Sequence, residues 1–456
     1  MPSKTSRHVP RWDAVPLPGS PYLIEKEVKR PSPLPLDSPI AALFLLLRRL
    51  LSGAYLVQRY RLLATLSSPS PVRAAWLMFL IDICARFGPV LFQVDMALYL
   101  LIRVSKSWQQ PRYRLVGSES PTVDVFVICC GESLDLILDT VYAAASQDYP
   151  FDRYRVFVLD DARNPDLKDA IRTYNVQRTR SARDVQYLSR TKVSGKPRSF
   201  KAGNLRFGLE ESRKTGVCSE YIAALDVDAI PEPDWLRRMV PHLLLDGKLA
   251  AVVPGLVSRL TFLPLAKFYA DGAALLTRYT IQRHYNLPED DVLGQDIATP
   301  WDISIEHMRD TMGVTNLYGS GYVMRRSALD SISGWPQVPS AEDLYCGHLL
   351  AGQGWKIAFC WDICQHDLTP DSLDALVSQR LRWVIQTEGD LIMARRFNFF
   401  LPPLDPGRQR TLARRATAMI GSLRLYKGLL DTLFPLLMTP ILIFTLRPTD
   451  LIKPTN

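Results

Sequence analysis

Residues 221–235 read YIAALDVDAIPEPDW: an apolar run, Tyr221–Leu225, followed at once by two carboxylates one residue apart, Asp226 and Asp228. The run is short and apolar at every position, so it reads as a strand buried on both faces rather than one alternating between core and water. Two carboxylates held so close repel and raise each other's pKa unless a cation sits between them. The plain alternative is a turn, because Asp caps helices, Pro231 follows, and a lone D-x-D recurs by chance. What lies around the stretch decides between the two.

On either side the pattern repeats. Val123–Ile128 (VDVFVI), Tyr154–Leu159 (YRVFVL), Val185–Leu188 and Leu249–Val257 read as further short strands, β-branched or aromatic and nearly continuous in apolarity. Helical segments alternate with them at Ser133–Ala145, Pro165–Tyr174, Lys201–Arg213 and Pro233–Leu245. Doubly buried strands alternating with helices predict an α/β fold with a mostly parallel sheet and crossover helices on both faces. Ligands of such sheets bind beyond the carboxyl ends of the strands, where strand order reverses. Three strand ends here are polar: Cys129-Cys130-Gly131-Glu132, Asp160-Asp161 and Asp226-Val227-Asp228. Acids at three ends of one sheet converge on one cleft, which makes a coincidence of turn residues the poorer explanation. No Gly-rich loop follows the first strand, so dinucleotide binding of the G-x-G-x-x-G kind is not expected.

The flanks differ in character. The chain has 456 residues, 47% of them hydrophobic, and a net charge of +9, which suggests an anionic partner. Its seven cysteines lack zinc-type spacing, and Cys129-Cys130 lies in an apolar strand, so reduced thiols are expected. Residues 1–38, rich in Pro and Ser, are expected to be disordered. Residues 39–119 hold two apolar stretches, Ile40–Val57 and Trp76–Ile102, interrupted by Arg48, Arg49, Asp82, Arg86 and Asp95. They are read as membrane-associated helices, two spans or two segments lying in the interface. Gly428–Leu446 is read as a transmembrane segment within residues 428–456. Residues 371–427 read as amphipathic interfacial helices, with Arg395, Arg396, Arg408, Arg410, Arg414 and Arg415 suited to anionic lipid rather than to nucleic acid.

Three further pieces follow the sheet pattern. SFKAGNL (Ser199–Leu205) puts Lys201 at a helix start, where an ammonium and free N–H groups favour phosphate. Glu342 and Asp343 open another helix, where acids also belong simply as complements to the helix dipole. SQRLRW supplies Gln379, Arg382 and Trp383, a cation and an aromatic on one helical stretch.

In this order the pieces resemble the family-2 glycosyltransferases, in their membrane-bound, cellulose-synthase-like branch. The matching residues are Glu132, Asp161, Lys201-Ala202-Gly203-Asn204, Asp226/Asp228, Gly319-Ser320-Gly321, Ala341-Glu342-Asp343 and Gln379/Arg382/Trp383, over roughly residues 120–390. The spelling of VDVFVICCGES and VLDDARNPDL is most like that of fungal members. The resemblance implies a GT-A-type catalytic domain at 120–370 that takes a UDP-sugar. It implies that Asp161, with Glu132 nearby, holds the uracil or ribose, and that Asp226 contacts the nucleotide. Asp228 would bind Mg²⁺ or Mn²⁺, and the metal with Lys201 would neutralise the departing diphosphate. Asp343 would be the general base of a single inverting displacement, Gln379 and Arg382 would hold the diphosphate side, and Trp383 would form the acceptor platform.

Two departures bear on the acceptor. The family's Thr before Glu-Asp is Ala341, and VVPGLVSRLTF (Val252–Phe262) replaces a segment associated with sugar-polymerising members. With room for one span after Gln379–Trp383, the expectation is a lipid or small hydrophobic acceptor receiving one or a few sugars. The alternatives are a processive polysaccharide synthase and, from another class, a non-catalytic membrane scaffold. The scaffold predicts a lost base or metal ligand, and neither Asp343 nor Asp228 is missing. Since nucleotide sugars are cytosolic, an integral membrane protein with its catalytic domain facing the cytosol is expected.

Overall fold

The computed structural model describes residues 12–27, 39–65, 111–178, 182–190, 200–216, 218–258, 315–337 and 342–367, with the single residues 76, 79, 80, 306, 309, 310, 378 and 381. The chain divides into two compact units, residues 1–30 with 110–415, and residues 31–109 with 416–456.

The first unit is built on an eight-stranded sheet. Its strands are β4 (Val123–Cys129), β5 (Tyr154–Asp160), β6 (Val185–Leu188), β7 (Tyr221–Asp226), β8 (Ala229–Pro231), β9 (Leu249–Ser258), β10 (Val323–Arg325) and β11 (Lys356–Asp367). The spatial order is β6-β5-β4-β7-β10-β9-β11-β8. β4 to β7, β9 and β11 run the same way, while β10 pairs antiparallel with both β7 and β9, and β8 antiparallel with β11. The chain goes from β4 outward to β5 and β6 and then returns to the other side of β4 as β7. That reversal puts the switch point between β4 and β7.

Every residue of β4 is buried. Val123, Val125 and Val127 face one way, onto α2 (Leu134–Ala145), α3 (Pro165–Gln177) and α5 (Trp235–Leu245). Phe126 and Ile128 face the other way, onto α4 (Phe200–Lys214), Trp335 and α7 (Glu342–Gly352). A short α6 (Arg326–Asp330) follows β10 on this second side. At the amino end of the sheet, fully buried Asp124 is held by Arg155, Arg326 and Ser219. A buried carboxylate so paired would be strongly destabilising if either arginine were removed.

The stretch 1–38 is not uniformly without structure, contrary to its composition. Trp12–Val15 (β1) and Leu23–Glu27 (β2) form a three-stranded antiparallel sheet with Tyr113–Val116 (β3). The partner lies some 90 residues downstream of β2, so local Pro and Ser content could not reveal the pairing.

In the second unit, α1 (Pro39–Ala64) takes in the first apolar stretch. Among the described residues no helix is long and apolar enough to cross a membrane. Trp76–Ile102, apart from residues 76, 79 and 80, and all of Gly428–Leu446 lie outside the described residues, as do Arg395 to Arg415.

Candidate active site

Because β5, β4 and β7 are adjacent, their carboxyl ends form one edge: Cys129 is in register with Asp160, and Ile128 with Asp226. The two aspartates that end β5 have different work. Asp160 accepts from the Ala162 and Asn164 N–H groups at 2.8 and 2.6 Å and from the Tyr187 hydroxyl at 2.7 Å, so it shapes the turn. Asp161 faces Arg190 through a two-pronged contact, Nε to Oδ1 at 2.6 Å and Nη2 to Oδ2 at 3.1 Å. Glu132 accepts from the Cys130 N–H at 2.6 Å, which curls the loop after β4.

At the end of β7, Lys201 on the first turn of α4 is the hub. Its Nζ lies 2.6 Å from Asp226 Oδ1, donates to the Gly319 carbonyl at 2.8 Å and stands 3.8 Å from Glu342. Lys201, expected at the diphosphate, is thus the counter-ion of Asp226 and Glu342 here. Burial alone would lower its pKa, but Asp226 and Glu342 outweigh it and hold the ammonium above the usual lysine range.

Gly319-Ser320-Gly321 runs alongside. Ser320 Oγ accepts from the Asp226 N–H at 2.9 Å, and the Gly321 N–H donates to the Ala224 carbonyl at 2.8 Å. A Cβ on Gly319 would lie 3.0 Å from Asp343 Oδ2 and 3.2 Å from Lys201 Nζ. Asp343 therefore joins Lys201 and Asp226 at this segment, although it comes from the far side of the sequence on α7. Its pKa is raised, first by burial and then by Glu342, against a lowering pull from Lys201.

Asp228 sits in the tight link between β7 and β8, fixed by the Thr140 hydroxyl donating to the Val227 carbonyl. Its pKa is pushed up to about 6 by burial and then by Asp226, with Glu132 adding to the same effect. A half-buried carboxylate beside two other acids suits a hard cation. Among the described residues no group of three His, Cys, Asp or Glu side chains could hold a metal by itself. One or two carboxylates completed by substrate phosphates is the usual arrangement for Mg²⁺, so the donor set fits a metal that arrives with a diphosphate.

The structure therefore brings together Lys201, Asp226, Asp228 and Asp343, with Asp161 and Glu132 on the same edge. Gln379, Arg382 and Trp383 lie outside the described residues. Sequence reasoning missed Arg190 and Arg163, whose side chain donates to the Arg190 carbonyl at 3.0 and 2.7 Å. The available signal was an arginine two residues past the end of β6.

Residues 121–386 match the model of Glycosyltransferase like family 2. The chain is 27% identical over 246 residues to glucomannan 4-beta-mannosyltransferase 7 of Arabidopsis thaliana, covering 54% of this chain and 39% of that protein. It is 28% identical over 265 residues to the UDP-forming cellulose synthase catalytic subunit of Pseudomonas fluorescens (strain SBW25), covering 58% and 31% respectively. It spans well under half the length of these two relatives. A solved mannosyltransferase from Pyrobaculum calidifontis, in complex with GDP-Man and Mn²⁺, superposes with a TM-score of 0.49 at 18% identity, covering 80% of this chain and 92% of that one. Since the family match takes in more than half of the chain and the whole of its large sheet, the chain belongs to Glycosyltransferase like family 2.

Proposed function

We propose that the protein transfers a sugar from a UDP-sugar to an acceptor hydroxyl in one displacement that inverts the anomeric carbon. The observation that carries this is Asp343, brought against Gly319 beside the Lys201–Asp226 pair. The acceptor oxygen attacks the anomeric carbon, the bond to the diphosphate oxygen breaks, and the hydroxyl proton passes to the Asp343 carboxylate. Its raised pKa suits that task, because a base works best when poised near the operating pH. Asp228 would hold Mg²⁺ or Mn²⁺, which when bound supplies Lewis-acid neutralisation of charge on the leaving UDP, and Asp226 would contact the nucleotide. Asp161 and Glu132 take the nucleoside end. Gln379, Arg382 and Trp383 are assigned to the diphosphate and the acceptor by their match to the family's motif.

For the acceptor, the relatives' names, a glucomannan mannosyltransferase and a cellulose synthase, favour a saccharide hydroxyl over the lipid or small hydrophobic acceptor expected from the sequence. The altered segment Val252–Phe262 is what still supports the latter. The protein works at a membrane, with this domain on the cytosolic side where nucleotide sugars are made. The exposed apolar residues Leu50, Leu51, Val57 and Leu62 of α1 support a helix resting in an interface.

The test is UDP release from a panel of UDP-sugars, with and without manno- or cello-oligosaccharides or extracted lipid, followed by sizing of the product. Release stimulated by oligosaccharide, with extended product, supports the saccharide reading. Release stimulated only by lipid restores the other acceptor. Absence of release with every UDP-sugar overturns the proposal.

A further inference from the structure

The turn after β5 contains more construction than a connection needs. Arg163 has φ of 62°, a left-handed conformation that is uncommon and unfavourable for a non-glycine residue. Asp160 secures that turn from both sides through the Ala162 and Asn164 N–H groups, and Asn164 then caps α3 by accepting from the Asp166 and Leu167 N–H groups. What this conformation achieves is specific. The Arg163 guanidinium reaches the Arg190 carbonyl with two of its nitrogens, at 3.0 and 2.7 Å. Arg190 in turn forks onto both oxygens of Asp161. The Asp161 N–H donates to the Cys129 carbonyl at 3.0 Å, so its backbone is fixed as well. Side chain and main chain of Asp161 are both held, at the carboxyl edge of the sheet, with its side chain 12% exposed.

A carboxylate has about four acceptor sites and no donor, so a forked guanidinium leaves sites free for a second partner. A carboxylate that cannot turn discriminates strongly between a donor and an acceptor placed opposite it, because a mismatched pair leaves a desolvated polar group without a partner. Uracil presents N3–H, a donor, whereas cytosine presents an unprotonated N3, an acceptor. We infer that Arg163 and Arg190 are positioning residues that lock Asp161 as the reader of the nucleobase, selecting uracil over cytosine in the sugar donor. The inference rests on the proposal that this cleft takes a UDP-sugar. The fork also neutralises one acid of a cleft that holds Glu132, Asp226 and Asp228 and must admit a diphosphate.

The experiment is titration of the full-length detergent-solubilised protein with UDP and with CDP, read by calorimetry. The wild type should bind UDP at least about tenfold more tightly than CDP, the discrimination expected of a hydrogen bond to a charged group. Arg190→Ala should lose about tenfold in UDP affinity and most of the preference over CDP, and Arg190→Lys should recover little, since an ammonium keeps the charge but not the fork. Arg163→Gly, whose backbone suits the turn, should weaken UDP binding severalfold with thermal stability unchanged or raised. In a UDP-release assay the loss should fall on the donor KM, with kcat at saturation within about twofold. If Arg190→Ala keeps the wild-type UDP affinity and preference, or binds UDP more tightly, the relay is wrong while the transferase proposal stands. If the wild type binds neither nucleotide, the transferase proposal fails and takes the relay with it.

Discussion

At the scale of single residues, Asp343 and Asp228, the two site carboxylates whose pKa values are raised, make opposite demands on experiment. Asp343→Asn keeps shape and hydrogen bonding but cannot take the acceptor's proton. Loss of a general base typically costs about 10²–10⁴-fold in rate, so turnover should fall by that much while UDP binding stays near wild type; near-normal turnover would remove Asp343 from the role. Asp228 is a matter of stability as well. Below its ordinary pKa of 3.8 both folded and unfolded states carry the proton, while between that value and about 6 the folded state binds it more tightly. The stabilisation linked to that proton is therefore present in acid and lost as pH rises through about 6. Asp228→Asn should thus stabilise the ligand-free protein at pH 7.5 by about 1–2 kcal/mol and much less at pH 4.5, the figure being reduced for partial exposure. Mn²⁺ should raise the melting temperature of the wild type at pH 7.5 but not that of Asp228→Asn, and EDTA should abolish activity in the wild type. Parallel pH profiles for the two proteins in urea unfolding would show that Asp228 carries no such strain.

At the scale of elements, the Gly319-Ser320-Gly321 segment separates activity from stability. Gly321 has φ of 73°, and a Cβ there would stand 1.8 Å from Gln365 Oε1 and 2.7 Å from Pro254. Gly321→Ala should destabilise the fold by more than about 2 kcal/mol, combining backbone strain with overpacking. At Gly319 the atoms nearest to a methyl group belong to the Asp343 carboxylate and the Lys201 ammonium, both side-chain ends, so Gly319→Ala should melt within a few degrees of wild type yet lose at least about tenfold in kcat. Equal activity would mean that nothing reacts over this glycine. The same segment shows what was legible in the sequence. β4, β5, β6, β7 and β9 were readable almost to the residue, because doubly buried strands leave unbroken apolar runs between turn residues. Asp226, Asp228 and Asp161 were readable as their polar ends. β8 and β10, three residues each, carry no periodicity, and β10 is in the sheet only because distant chain inserts it antiparallel between β7 and β9. β11 begins as a plain apolar run but carries a register irregularity between Cys360 and Cys364, which blurs its pattern. The segment that leads into β10 brings Gly319 to Lys201 and Asp343, so the motifs named the parts without their contacts.

At the scale of the whole molecule, the small sheet constrains how the chain would meet the membrane proposed for it. β2 pairs with β3 from Leu23 opposite Val116 to Lys26 opposite Tyr113, so the chain leaves at residue 28 and returns at residue 112 to the same place. This sheet belongs to the catalytic unit. Ile24 and Leu115 are each 1% exposed in its core, Arg237 on α5 donates to the Leu115 and Gly117 carbonyls, and the Tyr113 ring stands edge-on to His242. A strand pair cannot form across a bilayer, because unsatisfied backbone groups in hydrocarbon each cost several kcal/mol. If the chain is membrane-bound as proposed, the pairing requires an even number of crossings between β2 and β3: two, or none with α1 lying in the interface. A glycosylation acceptor inserted at Ser20 and another at Ser118, in separate proteins, should both escape modification, as cytosolic sites do. A third inserted near Pro69 distinguishes the two even cases, since it is modified only if the segment makes two crossings. Modification at one of Ser20 and Ser118 but not the other would require an odd number of crossings, and the β2–β3 pairing could then not exist in the membrane-inserted protein.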